Sequence, residues 1–228
     1  MKIEEQLARM QREIDELRHR ADLQADLQAV RTLQFKYGYY MDKCLFPLVV
    51  DLFADDARLH FMGGIFKGKA GARRLYGGSS GLNGPMRGML FEHIIAQDIV
   101  DVAPDGRTAK GRFRTFLQAG VHASKQDAPP HIPRQFWEAG IYENEYVKDD
   151  GVWKIQLFNY RIVYQARYED GWAHAGAAPL MVSAFKKTWP EDPRGPDEIG
   201  PAPEQWPDTF VMPFHYPHPV TGEWWAGA

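Results

Sequence analysis

The stretch "YGYYMDKCLFPLVVDLFADDARLHF", Tyr37 to Phe61, decides how this chain is read. A tyrosine-rich helix end meets Asp42, and a break follows at "CLFP". A short helix is expected over Leu48 to about Phe53, with Pro47 in its first turn, where a missing N–H costs nothing. "ADDARLHF" then turns into a strand. Asp42 interrupts a segment that otherwise has the character of core, so a carboxylate at that point needs a reason.

Working outward, a helix is expected over residues 23–44, with Leu27, Val30, Leu33, Phe35, Tyr37 and Tyr40 giving apolar surface nearly all round. Before it, Ile3, Leu7, Met10, Ile14, Leu17 and Ala21 follow the alternating four-and-three spacing of a heptad seam. This first helix either lies on its own domain or packs on a neighbouring subunit. After Phe61, "GGIFKGKAGARRLY" reads as a strand end, a turn and a helix. The glycine-rich "YGGSSGLNGPMRGM", residues 76–89, reads as a loop, either a lid or a plain linker. From Leu90 the period changes to two. "LFEHIIAQDIVDVAPDG" and "RTAKGRFRTFLQAGVHA" are strands, and the segment from Arg134 to Tyr168 is two long strands joined at "KDDG", a strong hairpin signal. Helices followed by a meander of antiparallel strands make the class α+β. The end of the chain, 189–228, is crowded with prolines and aromatics. Proline forbids regular helix and central strand, so an extended arm is expected, packed over the domain or over a second subunit. The expected organisation is an amphipathic helix over 1–22, an α+β domain over 23–188 and the arm over 189–228.

The bulk numbers narrow the function classes. The 228 residues carry a formal net charge of −3, which gives no basic surface for nucleic acid or an anionic membrane. No apolar run is long enough to span a bilayer, and the N-terminus is too charged for a signal peptide. The single cysteine, Cys44, rules out an intrachain disulfide and fits a reducing compartment, so a cytoplasmic protein is expected. Aromatic residues make up 13% of the chain, which suits a pocket for a small aromatic ligand. His215 and His218 in "HYPHP" have no carboxylate or cysteine spaced to complete a metal site. There is no phosphate-binding glycine motif. Neither a metal nor a cofactor is expected.

The segments "YGYYMD", "LVVDLFADDARLHF", "GKAGARRLY", "FEHIIAQDIVDVAPDGRTAKGRF" and "GIYENEYVKDDGVWKI" together resemble the SnoaL-like group of the nuclear transport factor 2-like superfamily, over about Leu23 to Tyr164. Scytalone dehydratase and hexachlorocyclohexane dehydrochlorinase belong to that neighbourhood, and diarylpropane deformylating lyases are similar in superfamily. The resemblance implies a curved, mixed but mainly antiparallel sheet wrapped round helices, forming a cone with a deep pocket. It also implies that Asp42 pairs with His93, the aspartate orienting the imidazole as a base. One relative carries a lysine near Tyr37. Lys36 and Lys43 flank that region without matching it, which argues against dehydrochlorination. A second histidine of the dehydratase relatives falls near Ala119, with His122 three residues on.

Alternation in the hairpin strand puts Phe136, Glu138, Gly140 and Tyr142 on one face. At the family's pocket positions that face turns inward, so Glu138 becomes a second proton-transfer candidate and Tyr142 a hydrogen-bonding one. Tyr37 and Tyr40 are further candidates for the polar wall. Phe61, Phe158 and Tyr160 are candidates for packing on a substrate ring. Arg112 and Arg114 face out of the cone. The leading expectation is a cofactor-independent lyase acting on a small aromatic substrate through Asp42 and His93, with loss of water or of formaldehyde. Two other readings stay open: an isomerase or cyclase of the same fold, and a non-catalytic binding or assembly module. A homo-oligomer, dimer or trimer, is expected.

Overall fold

The computed structural model describes residues 3–77, 82–128, 132–175 and 185–225. Its first element is a single helix, α1 (Ile3–Asp42). The expected division near residue 22 is absent. Nothing in the sequence could produce it, because the first glycine of α1 is Gly38 and the helix contains no proline. What changes near residue 22 is the surroundings. Ile3, Leu7, Met10, Ile14 and Leu17 are all exposed, whereas Asp26, Val30, Leu33, Gln34 and Tyr37 are buried in the domain.

A short helix, α2 (Phe46–Asp51), carries Pro47 in its first turn and ends two residues earlier than expected. Phe53 therefore begins strand β1 (Phe53–Phe61) and is fully buried there. β2 (Gly64–Lys67) and α3 (Gly68–Gly77) follow. The remaining long strands are β3 (Met89–Val102), β4 (Thr108–Val121), β5 (Gln135–Asp149) and β6 (Val152–Arg167), and β7 (Glu198–Ile199) belongs to the arm. They form one sheet in the order β3-β4-β5-β6-β1-β2-β7, in which only the β1–β6 pair is parallel. The β5–β6 turn is the "KDDG" hairpin. Asp149 pairs with Val152, and the two central residues, Asp150 and Gly151, both have positive φ, as the twist of a two-residue hairpin demands.

Irregularities interrupt the ladders at Ala96/Ile99, Ala139/Gly140 and Glu145/Tyr146. Each bends its strand and increases twist, so four strands of 14 to 16 residues curve round α1 instead of lying flat. The core between sheet and helices joins Val30, Leu33 and Tyr37 of α1 to Phe113, Tyr142, Tyr146, Ile155 and Phe158 of the sheet.

Buried polar groups fix how α1 sits. Gln34 Oε1 accepts from Tyr146 Oη (2.9 Å) and from Asn144 Nδ2 (3.0 Å), and Asn144 Oδ1 accepts from the Asn159 amide (2.9 Å). Nearer the rim, Asp26 Oδ1 accepts from Lys148 Nζ (2.6 Å) and Trp153 Nε1 (2.9 Å). Burial acts to raise the Asp26 pKa, but these bonds to the ionised form outweigh it and the net shift is downward.

The described part of the arm, 189–225, packs on its own domain. β7 pairs with β2, Trp206 N donates to Val163 O (2.8 Å), and Met212 is buried. Arg112, on the outer face as expected, is not solvated. It pairs with Glu143, donates to the carbonyls of Met212 and Pro213, and lies 4.3 Å from the Phe214 ring centroid. His215 places its two ring nitrogens against Glu143 and Asp101. Arg114 is exposed.

Replacing Gln34 by Leu preserves volume but strands the Tyr146 hydroxyl and the Asn144 amide. The expected loss is about 2–3 kcal/mol of folding free energy, read from urea unfolding. A loss below about 0.5 kcal/mol, the range of ordinary surface substitutions, contradicts the anchoring role.

Candidate active site

The C-terminus of α1 delivers the decisive side chain. A helix C-terminus carries the negative end of the macrodipole, so a carboxylate there is disfavoured by the helix itself. Asp42 is held from outside. Its Oδ1 accepts from the backbone amide of His93 (2.7 Å) and faces Nδ1 of the same histidine (2.8 Å), with both side chains nearly buried. An ionised carboxylate only accepts, so Nδ1 carries the proton and Nε2 is left with a lone pair. The approach depends on Gly38, one helical turn before Asp42 on the same face. A Cβ there would lie 2.9 Å from the end of the Ile95 side chain and 3.4 Å from the His93 carbonyl oxygen, so α1 closes tightly on β3 at this glycine and a larger residue would force Ile95 to move.

His93 lines a cavity of about 330 Å³. Sheet register explains the wall around it. His93 on β3 pairs with Leu117 on β4, Leu117 with Glu138 on β5, and Glu138 with Gln165 on β6. One row across four strands therefore carries a base, an apolar spacer, an acid and an amide, all four lining the cavity. Strands lie about 4.8 Å apart, which sets His93 and Glu138 about 10 Å apart along the row.

Glu138 is buried, and burial pushes its pKa up despite donors to both oxygens. Tyr160 Oη donates to Oε1 (2.6 Å) and Gln165 Nε2 to Oε2. Tyr160 reaches Glu138 across Gly140, where a Cβ would sit 2.3 Å from the Tyr160 ring. Tyr142 stacks on Tyr160 with centroids 4.5 Å apart, and Phe61 lies parallel to Tyr160 at 6.2 Å. On the helical side Tyr37 Oη and Tyr76 Oη are 3.2 Å apart. Burial raises the pKa of Tyr37, Tyr76, Tyr142 and Tyr160, so these phenols stay neutral and able to donate.

The sequence-based candidates thus fall into two groups. His93, Glu138, Tyr37, Tyr142, Phe61, Phe158 and Tyr160 line the cavity, with Asp42 directly behind His93. Tyr40 does not line it; it is partly buried and packs against the edge of the core. His122 bonds Ser124 on the surface. Cys44 is a buried thiol whose pKa is raised by burial and then by Asp42, the opposite of nucleophile activation.

Gln165 and Tyr76 are polar residues of the cavity that escaped the sequence reading. Gln165 did so because the irregularity after Ile162 reverses alternation, bringing Gln165 inward where Tyr164 was due. Tyr76 had a signal, since it follows Ala72 by four residues on the buried face of α3. The arm was also missed as a wall. Asp192 and Arg194 line the cavity, as does Phe185 just before the arm, and Arg74 Nε pins the arm through the Gly195 carbonyl (3.1 Å). The lid expectation for 76–89 falls partly on 78–81, outside the described residues; Leu82 of that loop lines the cavity. Among the described residues no cluster of three His, Cys, Asp or Glu side chains is placed to hold a metal, and no helix is long and apolar enough to cross a membrane.

A raised Glu138 pKa has a signed consequence. Its stabilising protonation is complete below the carboxyl's unfolded pKa and is lost as pH rises through the higher folded value. Glu138→Gln should remove that loss. Its melting temperature is expected to gain on that of the unsubstituted protein as pH rises from the carboxyl's unfolded pKa through its raised folded value, and to level off above it, with the gain vanishing in acid. A gain confined to acid pH contradicts the assignment.

Comparison with known proteins bears on the fold and the family. No curated protein matches the sequence. Among solved structures, a hexachlorocyclohexane dehydrochlorinase superposes with a TM-score of 0.51 at 22% identity, covering 64% of this chain and 91% of its own. A protein provisionally named a scytalone dehydratase, from Novosphingobium aromaticivorans, gives 0.51 at 16% identity, covering 65% and 91%. A type 3 dehydrochlorinase from Novosphingobium barchaimii gives 0.51 at 22%, covering 64% and 92%. Those likenesses establish the fold. The SnoaL-like domain model matches residues 23–159, which hold Asp42, His93 and Glu138, and the chain belongs to that family.

Proposed function

We propose that the protein is a lyase that acts on a small aromatic substrate by acid–base catalysis with its own side chains. The observation that carries this reading is the Asp42–His93 pair, whose open nitrogen belongs to a ring lining an aromatic cavity. His93 is the base. Asp42 is a positioning residue that sets its tautomer and offsets the charge of the imidazolium. A cavity of this size, lined by Phe61, Tyr142, Phe158 and Tyr160, favours a planar apolar ligand at the small end of the ligand range.

In the simplest reaction Nε2 removes a proton from the carbon beside a carbinol. The C–H pair becomes the new C=C bond, the C–O bond breaks, and the departing oxygen takes a proton from a neutral donor. Glu138, raised by burial, and the Tyr37–Tyr76 pair supply such donors. Loss of formaldehyde uses the same parts: the base takes the hydroxyl proton of a CH₂OH group, the C–C bond breaks, and its electron pair takes the proton from the acid. The separation of His93 from Glu138 leaves room for a ring between them. An isomerase would need the proton returned by His93 itself. The separate acid favours the lyase reading.

Asp42→Asn and His93→Gln should each lower turnover of small aromatic carbinols by about 100-fold or more, while aromatic ligands still bind. Mass spectrometry of the product separates loss of water, loss of formaldehyde and unchanged mass. Full turnover in both variants, or a product of unchanged mass, contradicts the proposal.

A further inference from the structure

The N-terminal part of α1 protrudes with its apolar stripe uncovered. Ile3 is 76%, Leu7 60%, Met10 50%, Ile14 40% and Leu17 62% exposed. The continuity of α1 explains why the domain cannot cover them. At 100° per residue, the stripe Ile3–Leu7–Met10–Ile14–Leu17–Ala21 lies about 150° round the helix from the docked face of Asp26, Val30, Leu33 and Tyr37. The open side continues past the domain at Ala25, Gln28, Lys36 and Tyr39, all exposed.

We propose that this stripe is the seam of a parallel two-stranded coiled coil between two copies of this chain. The central heptad has Ile14 at an a position and Leu17 at d, the pairing that favours two strands. The flanking charges choose the orientation. In a parallel pair Glu13 at g faces Arg18 at e of the second copy, twice by symmetry, and Gln6 faces Gln11. In an antiparallel pair Glu13 faces Glu13. Both charged side chains are exposed and free to cross: Glu13 now bonds Arg9 of its own helix, and Arg18 lies 3.7 Å from Asp15. The geometry also accommodates both domains. Because the docked face is opposite the seam, two parallel helices carry their domains on the outer sides of the pair. The seam supplies the strength, and the exposed charge pairs, individually weak, set the direction.

The experiment is sedimentation velocity on the full chain over a concentration series, with the active-site residues untouched. The unsubstituted protein should be a dimer, and Ile14→Glu with Leu17→Glu should abolish association while circular dichroism shows an intact domain. Glu13→Arg and Arg18→Glu should each weaken the dimer by about tenfold, and the two together should restore it. A monomeric unsubstituted chain, association that survives Ile14→Glu with Leu17→Glu, or a Glu13→Arg variant that associates as well as the unsubstituted chain overturns the proposal.

Discussion

One oxygen of Asp42 receives two donors from the same residue, the amide and the ring Nδ1 of His93, and the rest of the site follows from that arrangement. The amide fixes where the carboxylate sits relative to strand β3. The ring bond then fixes the tautomer and the direction of the remaining nitrogen. A carboxylate at a helix C-terminus is placed against the helix dipole, so helix stability alone would not select it. Gly38 belongs to the same contact, because a side chain there would meet the end of Ile95 on β3.

The sheet turns that local contact into a site. Register places base, spacer, acid and amide in one row, and Gly140 lets Tyr160 lie across the row to reach Glu138. The two titratable groups experience different environments. His93 is backed by an anion, whereas Glu138 is enclosed among aromatic rings with neutral donors and is pushed toward its protonated form. The imidazole and the carboxyl thereby stand two strands apart on the cavity wall, with Leu117 between them and aromatic rings around them.

Much of this was legible in the residues. The period-two pattern of β5 put Glu138 and Tyr142 on one face, which the resemblance turned inward, the "KDDG" turn fixed the hairpin, and Asp42 and His93 stood at positions matched by the resemblance. Three features were not legible, each for a physical reason. The irregularity after Ile162 reverses alternation, so Gln165 could not be assigned a face from sequence. The heptad stripe ends where the domain contacts begin, which imitates two helices although no residue breaks α1. The arm carries no periodicity, so its placement against the cavity through Arg74 and over Arg112 depends on contacts that only the folded chain reveals.

The central claim, that Asp42 holds His93 with its proton on Nδ1 and its lone pair on Nε2, is read most directly by nitrogen-15 NMR of the histidine side chains. With the imidazole neutral, the protein should show a protonated Nδ1 and a bare Nε2 for His93, and Asp42→Asn should abolish that preference. A protonated Nε2 in the unsubstituted protein, or a tautomer unaffected by removing the Asp42 charge, would contradict the account.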